Sequence, residues 1–179
     1  MEILKFPNAR LREKSRNVNV KEEQERYEII QLVKDMQETL YEANGIGLAA
    51  PQVGVTKRLF IIDLEQKVKK DEDGEVIERK PGVLMVFINP VVKSKEGEII
   101  YEEGCLSVPG IYEDVKRAEK IELEFYDMNF DKKHVIIEGM LAIVAQHEFD
   151  HLEGKLFIDR LSVVKRAIIK NKILKGKIL

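Results

Sequence analysis

Three features of this 179-residue sequence predict an α+β fold. Apolar residues recur at helical spacing near both ends, and short β-branched and aromatic runs fill the middle. Helical spacing then returns from Gly139 to Glu153, in the segment that holds two of the chain's three histidines. The expectation is a single domain over residues 1–179, with short antiparallel strands around a central helix and further helices at the N- and C-terminal ends.

Residues 22–43 predict the first helix, because Ile29, Val33, Met36 and Leu40 stand at i, i+4, i+7 and i+11, one apolar stripe among charges. Asn44-Gly45 supplies its stop. From Arg58 the period changes, and Leu59–Ile62 and Val83–Ile88 read as buried strands. Between them the polar stretch Glu65–Lys80 reads as a solvated excursion of the sheet, with Asp73-Gly74 at a hairpin tip. Ile121, Leu123 and Phe125 alternate with Glu122, Glu124 and Tyr126, as in a strand with one wet face. Val135-Ile136-Ile137 predicts another strand, and His134, beside Lys132 and Lys133, reads as a surface residue. Gly154 sits where the helix from Gly139 needs a left-handed residue to end it. Arg160–Lys175 carries Val164, Ile168 and Ile169 among lysines and predicts a terminal amphipathic helix. No internal repeat or Pro/Gly/Ser linker suggests a boundary.

Composition narrows the function classes. Hydrophobic residues at 44% and charged residues at 35% exclude disordered and low-complexity chains. Thirty Lys and Arg against 32 Asp and Glu leave a formal charge of −2, which argues against a DNA-binding protein. No apolar run reaches the roughly 20 residues of a membrane helix. Met1-Glu2-Ile3-Leu4-Lys5-Phe6-Pro7 lacks the pattern of a secretory signal, so a cytoplasmic location is expected. A single cysteine, Cys105, forms no internal disulfide and agrees with a reducing compartment.

The central helix reads Gln146-His147-Glu148-Phe149-Asp150-His151. Residues four apart lie one turn apart on the same face, so both imidazoles can reach one ion. Glu148, next to the first histidine, can approach water activated by that ion without being a ligand. A catalytic ion takes a third protein ligand and keeps one position open. No histidine follows His151, and Glu153 is too near in sequence to serve easily. Cys105, in the polar, glycine-flanked stretch Glu102-Glu103-Gly104-Cys105-Leu106-Ser107, is therefore the candidate. Two other readings stay open from the residues alone: a zincin-type metallopeptidase, and a non-catalytic domain with a structural Cys-His-His site.

A third unusual stretch is Gly45-Ile46-Gly47-Leu48-Ala49-Ala50-Pro51-Gln52. Gly45-x-Gly47-x-x-Ala50 formally matches a dinucleotide fingerprint, but a helix precedes it and Pro51 disfavours helix at Ala50. Glycines without side chains instead let an extended peptide approach the strand edge. This stretch, Glu103-Gly104-Cys105-Leu106-Ser107 and Gln146–His151 resemble, in order, the three signature motifs of the peptide deformylase family. The opening Ile3-Leu4-Lys5-Phe6-Pro7 with Leu11-Arg12, and Ile88-Asn89-Pro90, are similar to that family too.

The resemblance implies a hydrolase that removes the formyl group from the N-terminal formylmethionine of newly made polypeptides, releasing formate. Cys105, His147 and His151 would hold one divalent ion, Fe2+ in the cell, with Zn2+, Ni2+ or Co2+ in preparations. Glu148 would be general base and acid; Gln52 and the backbone N–H of Leu106 would stabilise the oxyanion. Ile46 and Gly47 would pair with the substrate backbone. Met140, Ile143 and Val144, which precede His147 by seven, four and three residues, continue the same helix face as an apolar pocket for methionine. Glu103 with Arg117 forms a candidate ion pair behind Cys105, and Asp150 a candidate partner for a neighbour of His151. Tyr112 stands where some bacterial members carry a basic residue, and Glu65–Lys80 is longer than in compact members. Lys165, Arg166, Lys170, Lys172, Lys175 and Lys177 make the C-terminal helix basic, which reads as a solvated face first and, for a family acting on chains leaving the ribosome, as a surface for weak ribosome contact second.

Overall fold

The computed structural model describes residues 1–74 and 76–176, so Lys177 lies outside the described residues. In chain order come helix α1 (Glu23–Glu42), strands β1 (Gly47–Ala49) and β2 (Leu59–Ile62), β3 (Lys67–Lys70), β4 (Val76–Lys80) and β5 (Met85–Glu96). Strands β6 (Ile99–Cys105), β7 (Val108–Arg117), β8 (Lys120–Tyr126) and β9 (Lys132–Glu138) follow, then α2 (Gly139–Leu152) and α3 (Val163–Leu174). The class is α+β, with every strand pairing antiparallel. One sheet runs β1-β2-β5-β8-β9; β3 with β4 and β6 with β7 form separate two-stranded ribbons.

The continuous apolar run Leu59–Ile62 is explained by burial on both faces of the sheet. Leu59 and Ile61 face Ile29, Val33, Met36 and Leu40 of α1. Phe60 and Ile62 face Ala142, Val144 and Ala145 of α2, so the sheet lies between the two helices. A third cluster seats the β6–β7 ribbon, through Val108, Ile111 and Val115, against Phe157, Ile158 and the Ile169 and Ile173 stripe of α3. Val163, Val164 and Ile168 of α3 remain exposed.

Several elements differ from the sequence expectation. Helix α1 does stop before Asn44-Gly45, and of the two it is Asn44 that takes the left-handed conformation (φ 56°). Gly45 is required by close approach instead: a Cβ there would stand 2.7 Å from Leu40 and 2.8 Å from Leu106. The strand expected to stop at Ile88 continues to Glu96, with a register shift between Ile88 and Val91 around Asn89 (φ 50°). The polar excursion Glu65–Lys80 forms its own ribbon beside the sheet. Residues 99–117, which show little apolar alternation, pair as a long hairpin turning at Leu106-Ser107, with Cys105 opposite Val108. The C-terminal helix starts at Val163, after a 3-10 turn at Phe157–Arg160. Gly154 does take the left-handed position that ends α2 (φ 67°), and His134 is exposed, bonded to Glu122.

Candidate metal centre and cleft

Two elements distant in sequence bring the donors together. Helix α2 sets His147 and His151 one turn apart with ring centroids 5.1 Å from each other. The β6–β7 turn brings Cys105 Sγ to 3.4 Å from His151 Nε2. The sulfur and one nitrogen of each imidazole lie within 4.8 Å of one another. Ligands bound at ~2.0–2.3 Å around a tetrahedral ion stand about 3.3–3.6 Å apart, so this donor set fits one ion and leaves a position open. His151 Nδ1 and Glu148 Oε2, both beside the cluster, are buried without a hydrogen-bond partner.

Around the donors lies a buried network. His147 Nδ1 is 2.8 Å from Glu103 Oε2. Arg117 donates to both Glu103 oxygens, at 2.6 and 2.8 Å, and to Asp150 Oδ2 at 2.6 Å. Arg160 grips Asp150 through two bonds of 2.5 Å. The expected Glu103–Arg117 pair is therefore present, and Asp150 serves Arg117 and Arg160. Burial works to raise the pKa of both carboxyls, yet these partners hold Glu103 and Asp150 below the usual carboxylate range. Burial opposes charge on His147 too, but Cys105, Glu103 and Glu148 around it raise its pKa well above that of ordinary imidazole. Burial lowers His151 well below that value. Burial pushes the Glu148 carboxyl up to about 7.

Glu148 lies against β1: a Cβ on Gly47 would stand 2.5 Å from its Oε1. Gln52, 1% exposed, accepts from Ala49 N at 2.7 Å and donates from Nε2 to Ser107 Oγ at 3.3 Å and to Cys105 Sγ at 3.7 Å. Above the donors opens a cleft of about 420 Å³ lined by Ile46, Gly47, Gln52, Cys105, Leu106, Met140, Ile143, Val144, His147 and Glu148. His151 sits behind it, 1% exposed. The Ile46 carbonyl is taken by Asp63 N at 2.9 Å, and its side chain is 39% exposed at the cleft. Tyr112 also lines the cleft, its ring lying over Gly104, where a Cβ would meet it at 2.6 Å. Tyr101 and Asn44 line the cleft, Asn44 expected only as a helix stop and not as a site residue, and Arg160 completes the network. No local pattern marks these three, since the topology alone brings them in.

An H-E-x-x-H helix with a thiol alongside and a cleft open above the donors is the arrangement of a metal-dependent hydrolase. Among such proteins the sequence comparison is specific. The chain belongs to the polypeptide deformylase family, whose profile matches residues 1–167. It is 46% identical over 164 residues to a peptide deformylase of Xylella fastidiosa, covering 92% of this chain and 88% of that protein. The crystal structure of a peptide deformylase from Legionella pneumophila superposes with a TM-score of 0.77 at 41% identity, covering 98% of this chain and 94% of the other. A peptide deformylase from Ehrlichia chaffeensis in complex with actinonin gives a TM-score of 0.80 at 33% identity, covering 99% and 97% of the two chains.

Proposed function

We propose that this chain is a peptide deformylase, one catalytic domain over residues 1–179 that hydrolyses the N-terminal formyl group of newly made polypeptides and releases formate. The observation that carries the reading is the Cys105, His147 and His151 cluster, within 4.8 Å, beside an unpartnered buried Glu148 in an open cleft. When bound there, a divalent ion supplies Lewis-acid polarisation of the formyl oxygen and makes water acidic enough to lose a proton near neutral pH.

The chain's own residues do the rest. Glu148 takes the proton of the attacking water and returns it to the departing amine. Gln52 Nε2 and the Leu106 backbone N–H are the donors assigned to the oxygen on which negative charge builds. Ile143 and Val144, 3% and 7% exposed, with Met140 at the rim, offer apolar surface to the methionine side chain. Ile46 and Gly47 flank the substrate backbone.

Formate release from a formylmethionyl peptide, with the acetyl analogue as control, tests the reading. Turnover of the formyl peptide alone is expected; no formate from metal-loaded protein would overturn it. Iron is the ion assigned in the cell, on family resemblance, since one thiolate and two imidazoles also accept zinc, nickel or cobalt. Activity should then be highest after anaerobic preparation, decay in air, and decay more slowly with nickel or cobalt; equal decay with all three would remove iron. On that substrate we assign the enzyme to the cytoplasm, where newly made chains leave the ribosome. Arg166, Lys170, Lys172 and Lys175 on or beside α3 give it a basic surface for weak contact there.

A further inference from the structure

The open edge of the five-stranded sheet has backbone groups taken by two glutamine side chains from different parts of the chain. Asp63 N donates to Ile46 O, which makes Gly47, opposite Ile62, a non-hydrogen-bonded pair with β2. In an antiparallel ladder both the N–H and the C=O of such a residue turn away from the partner strand, here toward the cleft. On one flank, Ala49 N is taken by Gln52 Oε1 at 2.7 Å. On the other, the Gly45 carbonyl accepts from Gln66 Nε2 at 2.8 Å, and the same nitrogen donates to Asp63 O at 2.9 Å. Gln66 stands immediately before β3, at the root of the charged ribbon, and the metal centre does not use it.

We infer that Gln66 is a positioning residue that fixes the register of the bound peptide, by closing the Gly45 carbonyl and leaving Gly47 as the backbone open to pairing. The inference rests on the reading of the cleft as a formylpeptide site. An extended peptide repeats its pairing groups every second residue, about 6.6–6.8 Å. A peptide that slipped to pair with Gly45 would carry its formyl carbon that far from the metal donors and would be bound without reacting. With Gln66 in place the slipped pairing meets a Gly45 carbonyl that already accepts one bond, and the Gly45 N–H is itself tied to Leu40 O at 2.9 Å. Without it the slipped complex gains a hydrogen bond and is populated about 2- to 10-fold more than in the wild type, in competition with the productive one.

Non-productive binding has a kinetic signature: kcat and KM fall together while kcat/KM is unchanged. The test uses the full chain loaded with nickel, as wild type and as Gln66→Ala, on a formylmethionyl tripeptide and on N-formylmethionine amide, which has no downstream backbone to slip. For the tripeptide, kcat and KM are both expected to fall by the same factor, at most about 10-fold, with kcat/KM unchanged, and the amide should be unaffected. Unchanged tripeptide constants, or an equal loss of kcat/KM on both substrates, would overturn the role of Gln66. If Gln66→Ala does not fold, Gln66→Met is measured against the same criteria. A wild type inactive on both substrates would overturn the proposed function instead, and the two failures are thus distinguishable.

Discussion

Glu103 answers two demands with one carboxylate. It neutralises Arg117, 3% exposed, and it receives His147 Nδ1 at 2.8 Å. A carboxylate only accepts, so Nδ1 carries the proton and Nε2 keeps its lone pair for the metal centre. Glu103→Gln is expected to weaken metal affinity about 10- to 100-fold, with activity recovered at excess metal. Metal titration checks this, and unchanged affinity would show that the histidine is oriented otherwise. Glu148 has the opposite character, because its Oε2 is buried with no hydrogen-bond partner among the described residues. Glu148→Gln should therefore keep its metal and its stability while kcat falls by at least about 10²- to 10⁴-fold. Metal analysis beside turnover decides it, and wild-type kcat in a folded, metal-replete variant would remove Glu148 from the chemistry.

Among the elements, β1 and α2 are pressed together where the reaction is assigned. Gly47 leaves no room for a side chain, since a Cβ would stand 2.5 Å from Glu148 Oε1 and 3.0 Å from Val144 Cγ1. Gly47→Ala should displace the carboxylate by a fraction of an ångström and cost about 100-fold in kcat/KM. Unfolding curves and metal content should change little; near-normal kcat/KM would mean that Glu148 relocates without penalty. Helix α2 was wholly legible in the sequence, because its ligands and its apolar face are separated by one or two turns. Helix α1 was legible for the same reason, and β2 through its β-branched run. The β6–β7 hairpin was not. Its inward positions include Glu103 and Arg117, buried by ion pairing rather than by hydrophobicity, and the half-buried Cys105 and Glu113, so no alternation announces the strands. Strand β1 has three residues, too few for a period. Cys105 follows from the sequence by elimination among donor types, whereas the grip of Arg160 on Asp150 follows from the chain turn after α2, which no spacing rule encodes.

At the scale of the molecule, the donors come from a ribbon seated in one apolar cluster and a helix seated in another. An ion held between them binds the folded chain and not the unfolded one. At free metal about 100-fold above Kd, that linkage adds about 2.7 kcal/mol. Stripping the metal should then lower Tm by roughly 5–10 °C, and readdition should restore it. Equal Tm with and without metal would mean that the ribbon and α2 hold their places unaided. The sheet itself carries a different hazard. A strand edge that accepts a foreign backbone accepts another copy of the same chain equally well, and growth of that kind needs a run of unpaired groups. Strand β1 presents no such run: it is three residues long, Pro51 follows within two, and the groups on either side of Gly47 are occupied by Gln52 and Gln66. The molecule thus keeps a berth one residue wide, enough for a single visiting peptide and too short to seed a fibril.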